Sequence, residues 1–276
     1  MPGVRVRGID LHVEEWGSGP TLVVAHGLLG SVELAGRFGA PPHAFADHGL
    51  HVVAYDARGH GRSGFTTREE DYRWSSHAAD LVELLRALGL RRASLLGGSM
   101  GAGSALLAAL AHPELVERLV LVAPPPFGPA LGVARRTFLP LAFLYRLLGS
   151  RATARVVTSL PSVKRLQRQN PRNDLVSFFA SQRRESIVPA IRGLLRERDP
   201  LPTRRFGEIG QETLVFVHPD DPLHPLGSGE LLSKTLPRVR VRVAPSATHW
   251  QEHPELVTRA VAAFVRGGFS RLDAAV

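Results

Sequence analysis

A chain of 276 residues, 44% hydrophobic and 21% charged, suits one α/β domain with an insertion and excludes a disordered protein. It contains no cysteine, which removes disulfides, thiolate metal sites and cysteine nucleophiles. The net charge of +9 is unevenly placed: residues 124–210 hold 16 Arg or Lys against 5 Asp or Glu, and the remainder holds 18 against 20.

Taken in chain order, Met1 to Leu11 carries Arg5, Arg7 and Asp10 without an apolar run, so no secretory leader is expected and the cytoplasm is the expected location. Val4 to Ile9 and Leu11 to Trp16 predict two antiparallel strands around a turn at Gly8–Asp10. Thr21 to Ala25 and His51 to Tyr55 are short apolar runs of the kind buried in a parallel sheet. Leu81, Leu84, Leu85 and Leu88 recur at helical spacing within Ser76 to Leu88, and Gly89 is a suitable C-cap. Then follow a strand (Ala93 to Gly97), a helix (Met100 to His112, stopped by Pro113) and a strand (Leu119 to Ala123). After residue 210 the alternation resumes with strand Thr213 to Val217, helix Gly229 to Leu236, strand Val239 to Ala244 and helix Pro254 to Arg266. Such alternation predicts a mostly parallel sheet with helices on both faces. Between Pro124 and Gly210 there is no alternation. Helices are expected at Leu139 to Leu148, Ala152 to Ser159, Asp174 to Arg184 and Val188 to Arg196, separated by prolines. The expected organisation is a core of residues 1–123 and 211–276 and a helical cap of residues 124–210. The apolar stretch Phe138 to Leu148 is too short to span a bilayer.

Gly97-Gly98-Ser99-Met100-Gly101 sits between a predicted strand and a predicted helix. A serine on so sharp a turn stands clear of the sheet, and its neighbours must be small because strand and helix nearly touch. Ser99 is therefore the expected nucleophile, with Gly97 and Gly101 shaping the turn. A hydroxyl needs a base, and the base needs an orienting acid. His249, in the loop after the last strand, is the expected base, while His253 beside Pro254 is assigned to packing or capping. The acid should follow the strand ending at Val217, because no acidic residue lies between Glu117 and Asp174. There His218-Pro219-Asp220-Asp221-Pro222-Leu223-His224-Pro225 offers two carboxylates; Asp221 is favoured because Pro222 fixes the turn after it, and Asp220 is the alternative. His26-Gly27-Leu28-Leu29-Gly30 follows a buried strand, and the backbone N–H groups of Leu28 and Met100 are the expected oxyanion donors. The stretch Asp56 to Ser63 reads as a hydrogen-bonded structural loop. No histidine–carboxylate grouping has metal-binding spacing, and no cofactor is expected.

With these motifs in this order, the chain resembles the α/β-hydrolase superfamily over residues 4–123 and 212–266. The resemblance implies an eight-stranded sheet whose second strand is antiparallel, with the active site between sheet edge and cap. His218 stands where that family usually has glycine before the acid loop. A serine at position 99 argues against the branches that use an aspartate nucleophile. The resemblance implies a carboxylic ester hydrolase. A thioesterase on acyl-CoA or an acyl carrier and a carbon–carbon bond hydrolase are alternatives, the latter because Gly-Gly-Ser-Met-Gly is similar to that branch's elbow. A non-catalytic receptor is a further class, disfavoured by the intact triad. The expected partner is a small-molecule ester or acyl compound, not nucleic acid. Arg135, Arg136, Arg146, Arg151 and Arg155, interleaved with leucines, are either the solvated face of cap helices or a contact for an anionic membrane or carrier.

Overall fold

The computed structural model describes residues 3–37, 40–169, 174–197, 200–246 and 248–273. Two short strands, β1 (Val4–Val6) and β2 (Ile9–Leu11), pair around Arg7 and Gly8, both at positive φ, as a tight right-twisted hairpin requires. The main sheet holds seven strands: β3 (Val13–Trp16), β4 (Thr21–Ala25), β5 (His51–Tyr55), β6 (Ala93–Gly98), β7 (Val116–Val122), β8 (Glu212–Val217) and β9 (Val239–Val243). Their order is β3-β5-β4-β6-β7-β8-β9, with β3 antiparallel and the rest parallel. The expected eight strands thus appear as seven plus a separate hairpin. The break falls at His12, whose N–H bonds the Ser63 hydroxyl at 2.8 Å while the preceding Asp10 carbonyl accepts from Gly64 N–H. A loop side chain replaces the strand partner there, so the ladder cannot run through.

The helices are α1 (Trp74–Ala87), α2 (Met100–Ala111), α3 (Leu131–Ser159), α4 (Pro161–Gln169), α5 (Leu175–Ala180), α6 (Arg184–Arg196), α7 (Leu226–Thr235), α8 (His249–Glu252) and α9 (Pro254–Asp273). One core lies between the sheet and α1 and α2 and continues into α3 and α6 through residues such as Leu81, Ala105, Tyr145 and Ile191. The other lies on the opposite face, where Phe45, Val52 and Phe216 meet Val261 and Phe264 of α9. Strand residues buried on both faces explain why β4, β5 and β6 read as unbroken apolar runs. At the edge, β9 alternates Val and Arg, which keeps the open edge charged.

Every described regular element between β7 and β8 is helical. These helices begin earlier than expected: α3 starts at Leu131 rather than Leu139 and α6 at Arg184 rather than Val188. Pro140 and Pro189 therefore lie in their interiors and not in a first turn, and α3 joins the two helices expected at 139–148 and 152–159. Pro140 is exposed while Leu141, Ala142 and Tyr145 beside it are buried, so packing offsets the roughly 3 kcal/mol cost of an interior proline. The bend in α3 falls instead at Gly149, with φ of 73°. Side chains tie this segment to the core. Trp74 Nε1 donates to the Leu194 carbonyl at 2.8 Å, and the Ser186 hydroxyl donates to the Gly59 carbonyl at 2.6 Å. Among the described residues no helix is long and apolar enough to cross a membrane.

Candidate active site

Ser99 stands at the C-terminal end of β6, the central strand, with φ 48° and ψ −107°. A non-glycine residue there stores on the order of 1–3 kcal/mol of strain, maintained because its surroundings fix it. Its N–H bonds the Val122 carbonyl at 3.1 Å and its own carbonyl accepts from Ala102 and Gly103. The small neighbours are obligatory: a Cβ on Gly97 would lie 2.3 Å from the Gly101 carbonyl carbon, and one on Gly101 would lie 2.1 Å from the Ala25 carbonyl oxygen. Gly103 serves a contact between helices, because a Cβ there would meet the Trp74 ring of α1 at 2.1 Å.

The hydroxyl of Ser99 lies 2.9 Å from His224 Nε2, and His224 Nδ1 lies 2.7 Å from Asp221 Oδ2. With the imidazole proton on Nδ1 and donated to Asp221, Nε2 is free to accept the proton of Ser99. Asp221 Oδ1 also accepts from the N–H groups of Leu223, at 2.8 Å, and His224, at 3.2 Å. Burial raises the Asp221 carboxyl, but the His224 bond and charge, the Leu223 N–H and the nearby His218 outweigh it and lower the pKa to about 2. The carboxylate is therefore ionised at any working pH and can steady an imidazolium. Asp220 adopts positive φ (62°) and is exposed, so of the adjacent pair only Asp221 faces the imidazole.

His249 is placed elsewhere than expected. It opens α8, its ring packed 4.9 Å from both the Trp250 and the His253 ring, and it makes no hydrogen bond to Ser99 among the described residues. Trp250 sets this position: it packs edge-on against Phe216 and donates from Nε1 to the Val217 carbonyl at 3.4 Å. Ala247, in the loop before it, lies outside the described residues. The structure thus brings Ser99 and Asp221 together through His224, which sequence reasoning passed over. The available signal was Asp221-Pro222-Leu223-His224: an aspartate that caps the backbone two and three residues on folds the fourth side chain back onto its carboxylate.

The other side of the site is the turn after β4. Gly30 N–H bonds the Gly27 carbonyl at 2.9 Å, and a Cβ on Gly27 would sit 3.3 Å from Ser99 Cβ. The backbone N–H groups of Leu28 and Met100 have no hydrogen-bond partner among the described residues. His26 braces the turn. Its Nδ1 donates to the Gly27 carbonyl at 2.7 Å and its Nε2 accepts from Ala57 N–H at 2.9 Å. Leu29 is held at φ 66°, its carbonyl accepting from Gln182 Nε2 at 2.9 Å. The loop from Asp56 is internally bonded, with Asp56 accepting from Val32 N–H and Arg62 N–H at 2.7 Å each.

Residues 20–253 match the family model of the α/β hydrolase fold. A curated relative, a 2-hydroxy-6-oxononadienedioate/2-hydroxy-6-oxononatrienedioate hydrolase of Comamonas testosteroni, is 26% identical over 94% of this chain and 92% of its own length. Among solved structures, the enol-lactonase of Burkholderia xenovorans LB400 superposes with a TM-score of 0.78 at 21% identity, covering 95% of this chain and 98% of that one. A thermophilic esterase of Thermogutta terrifontis gives a TM-score of 0.75 at 25% identity, covering 96% and 97%. The chain belongs to the α/β-hydrolase fold family and is a hydrolase of that family.

Proposed function

We propose that this protein is a serine carboxylic ester hydrolase acting through an acyl-enzyme on a small apolar ester. The observation that carries the reading is the Ser99 hydroxyl, strained clear of the sheet and bonded to an imidazole that is itself bonded to an ionised carboxylate. Ser99 Oγ attacks the ester carbonyl carbon while His224 Nε2 takes its proton. The Leu28 and Met100 N–H groups receive the oxyanion, each worth about 3 kcal/mol of barrier. Collapse expels the alcohol, which takes the proton from His224, and water repeats the sequence to release the acid. Residues 124–210 form a cap over this centre in the same reading, supported by the Gln182 and Ser186 bonds to the loops around Ser99. His249 is the second candidate for the base. Its ring has no hydrogen-bond partner among the described residues, and it opens α8, shortly after the last strand.

A carbon–carbon bond hydrolase is the second reading. It is favoured by the curated relative's activity and by the Gly97-Gly98-Ser99-Met100-Gly101 elbow. One panel separates the classes: chromogenic esters from acetate to palmitate, acyl-CoAs and a vinylogous diketone, with Ser99→Ala as the blank. Ester turnover lost in Ser99→Ala supports the first reading, and preferential turnover of the diketone supports the second. Turnover unchanged in Ser99→Ala sinks both.

A further inference from the structure

Residues 131–173 contain nine Arg or Lys and no Asp or Glu, while the rest of the chain is balanced at 25 of each. The whole positive excess therefore sits within residues 131–173, a stretch that includes α3 and α4. Among the described residues, seven of the eleven exposed large hydrophobic side chains lie in nearly the same stretch, between Val133 and Val176. The two properties share one stretch of the chain. Val133, Arg136, Pro140, Phe143 and Leu147 follow one another at intervals of three and four residues, which places them on a single stripe of α3. The stripe faces outward, with Phe143 56% and Leu147 66% exposed, while Leu141, Ala142 and Tyr145 on the opposite side are buried. Arg136, Arg146, Arg151, Arg155, Lys164 and Arg168 make no ion pair among the described residues.

An apolar stripe flanked by unpaired arginines has two candidate occupants, a second copy of the chain or an anionic surface. A second copy would bring two strongly positive segments together, which the charge opposes. We propose that this outer face of α3 docks on an anionic lipid bilayer, with Phe143 and Leu147 entering the headgroup boundary and the arginines meeting lipid phosphates. Long arginine stems extend the apolar contact while their guanidinium groups stay at the phosphate level. Docking of this kind would hold the enzyme beside substrates that partition into membranes.

The test is sedimentation of the full chain with phosphatidylglycerol-containing vesicles and with pure phosphatidylcholine vesicles, at low and high salt. Binding to the anionic vesicles alone, weakened by salt, is expected. Each removed cation should lower the partition coefficient about five-fold, so Arg146→Ser with Arg151→Ser should lower it about 25-fold. The Phe143→Ser, Leu147→Ser double variant should lower it about ten-fold or more while its circular dichroism and melting temperature stay those of the parent. Equal binding to both vesicle types, or none to either, overturns the proposal. So does unchanged vesicle binding in the Phe143→Ser, Leu147→Ser variant, which would mean charge attraction alone. A concentration-dependent dimer in the centrifuge that this variant abolishes would assign the stripe to a second copy and overturn it as well.

Discussion

Behind the turn that carries His26, three imidazoles are packed in a row, and they make the fold acid-sensitive in a calculable way. The His26 and His60 rings lie 5.2 Å apart and the His60 and His77 rings 6.4 Å apart. His60 is 1% exposed and His77 3%. Burial pushes the His77 pKa down to about 4, with Asp80 opposing and His26, Arg58 and Arg7 reinforcing. Burial likewise pushes His60 well below the usual range, helped by His26, His77 and Arg183, and it lowers His26 against the opposing charge of Asp56. In the unfolded chain all three titrate near 6.5. Below that pH the unfolded state binds protons that the folded state refuses. The stabilisation is complete above about 6.5 and is lost as pH falls toward the folded-state values. His77 contributes a slope that approaches about 1.4 kcal/mol per pH unit between its two values, and His60 and His26 add to it in the same direction. His77 Nε2 has no hydrogen-bond partner among the described residues, so His77→Leu removes a titrating ring without orphaning a donor. Urea unfolding from pH 8 to pH 5 should show a steep loss below 6.5 in the parent and a slope shallower by up to about 1.4 kcal/mol per pH unit in His77→Leu. Parallel curves, or a flat profile between pH 7.5 and 5.5, would refute the reasoning.

Two further outcomes follow from the same coordinates. Gly101→Ala should fail to give active folded enzyme, because the new Cβ meets strand backbone at 2.1 Å, whereas Gly98→Ala, with nothing within 4 Å, should keep the parental melting temperature. A comparison of soluble yield and thermal melts decides this, and a well-folded, active Gly101→Ala would contradict it. Gln182→Ala frees the Leu29 carbonyl and lets a turn at φ 66° relax, moving the adjacent Leu28 N–H. Steady-state kinetics should show kcat reduced about ten-fold with little change in KM; a KM effect alone would mean that Gln182 serves substrate binding instead.

Much of this molecule was legible before folding because short-range chemistry dictated it. Thr21–Ala25 and His51–Tyr55 are uninterrupted apolar runs, and both are strands at those bounds. The glycines around Ser99 signalled a backbone contact that the sheet and α2 make. What was hidden depends on tertiary choices. Pro140 suited the first turn of a helix starting at Leu139, yet α3 begins at Leu131 and the burial of Leu141 and Tyr145 carries it through the proline. The break at His12 comes from a serine hydroxyl 51 residues away. Gln182 shows no motif at all, and only the packing of the helical segment brings it to Leu29. The imidazole was the hardest choice, because twelve histidines share one chemistry and chain order points to His249. The aspartate-capped turn at 221–224 folds His224 onto Asp221 locally, and the approach of β8 to β6 across β7 then carries it to Ser99.

The most direct test is covalent labelling with a fluorophosphonate, read by intact mass and peptide mapping on the parent and on three single variants. Ser99 should carry the adduct, and Ser99→Ala should not react. The labelling rate should fall on the order of a thousand-fold in His224→Ala and less than ten-fold in His249→Ala. An adduct on another serine would contradict the account at its centre. A collapse confined to His249→Ala would keep the nucleophile and hand the proton to the other imidazole.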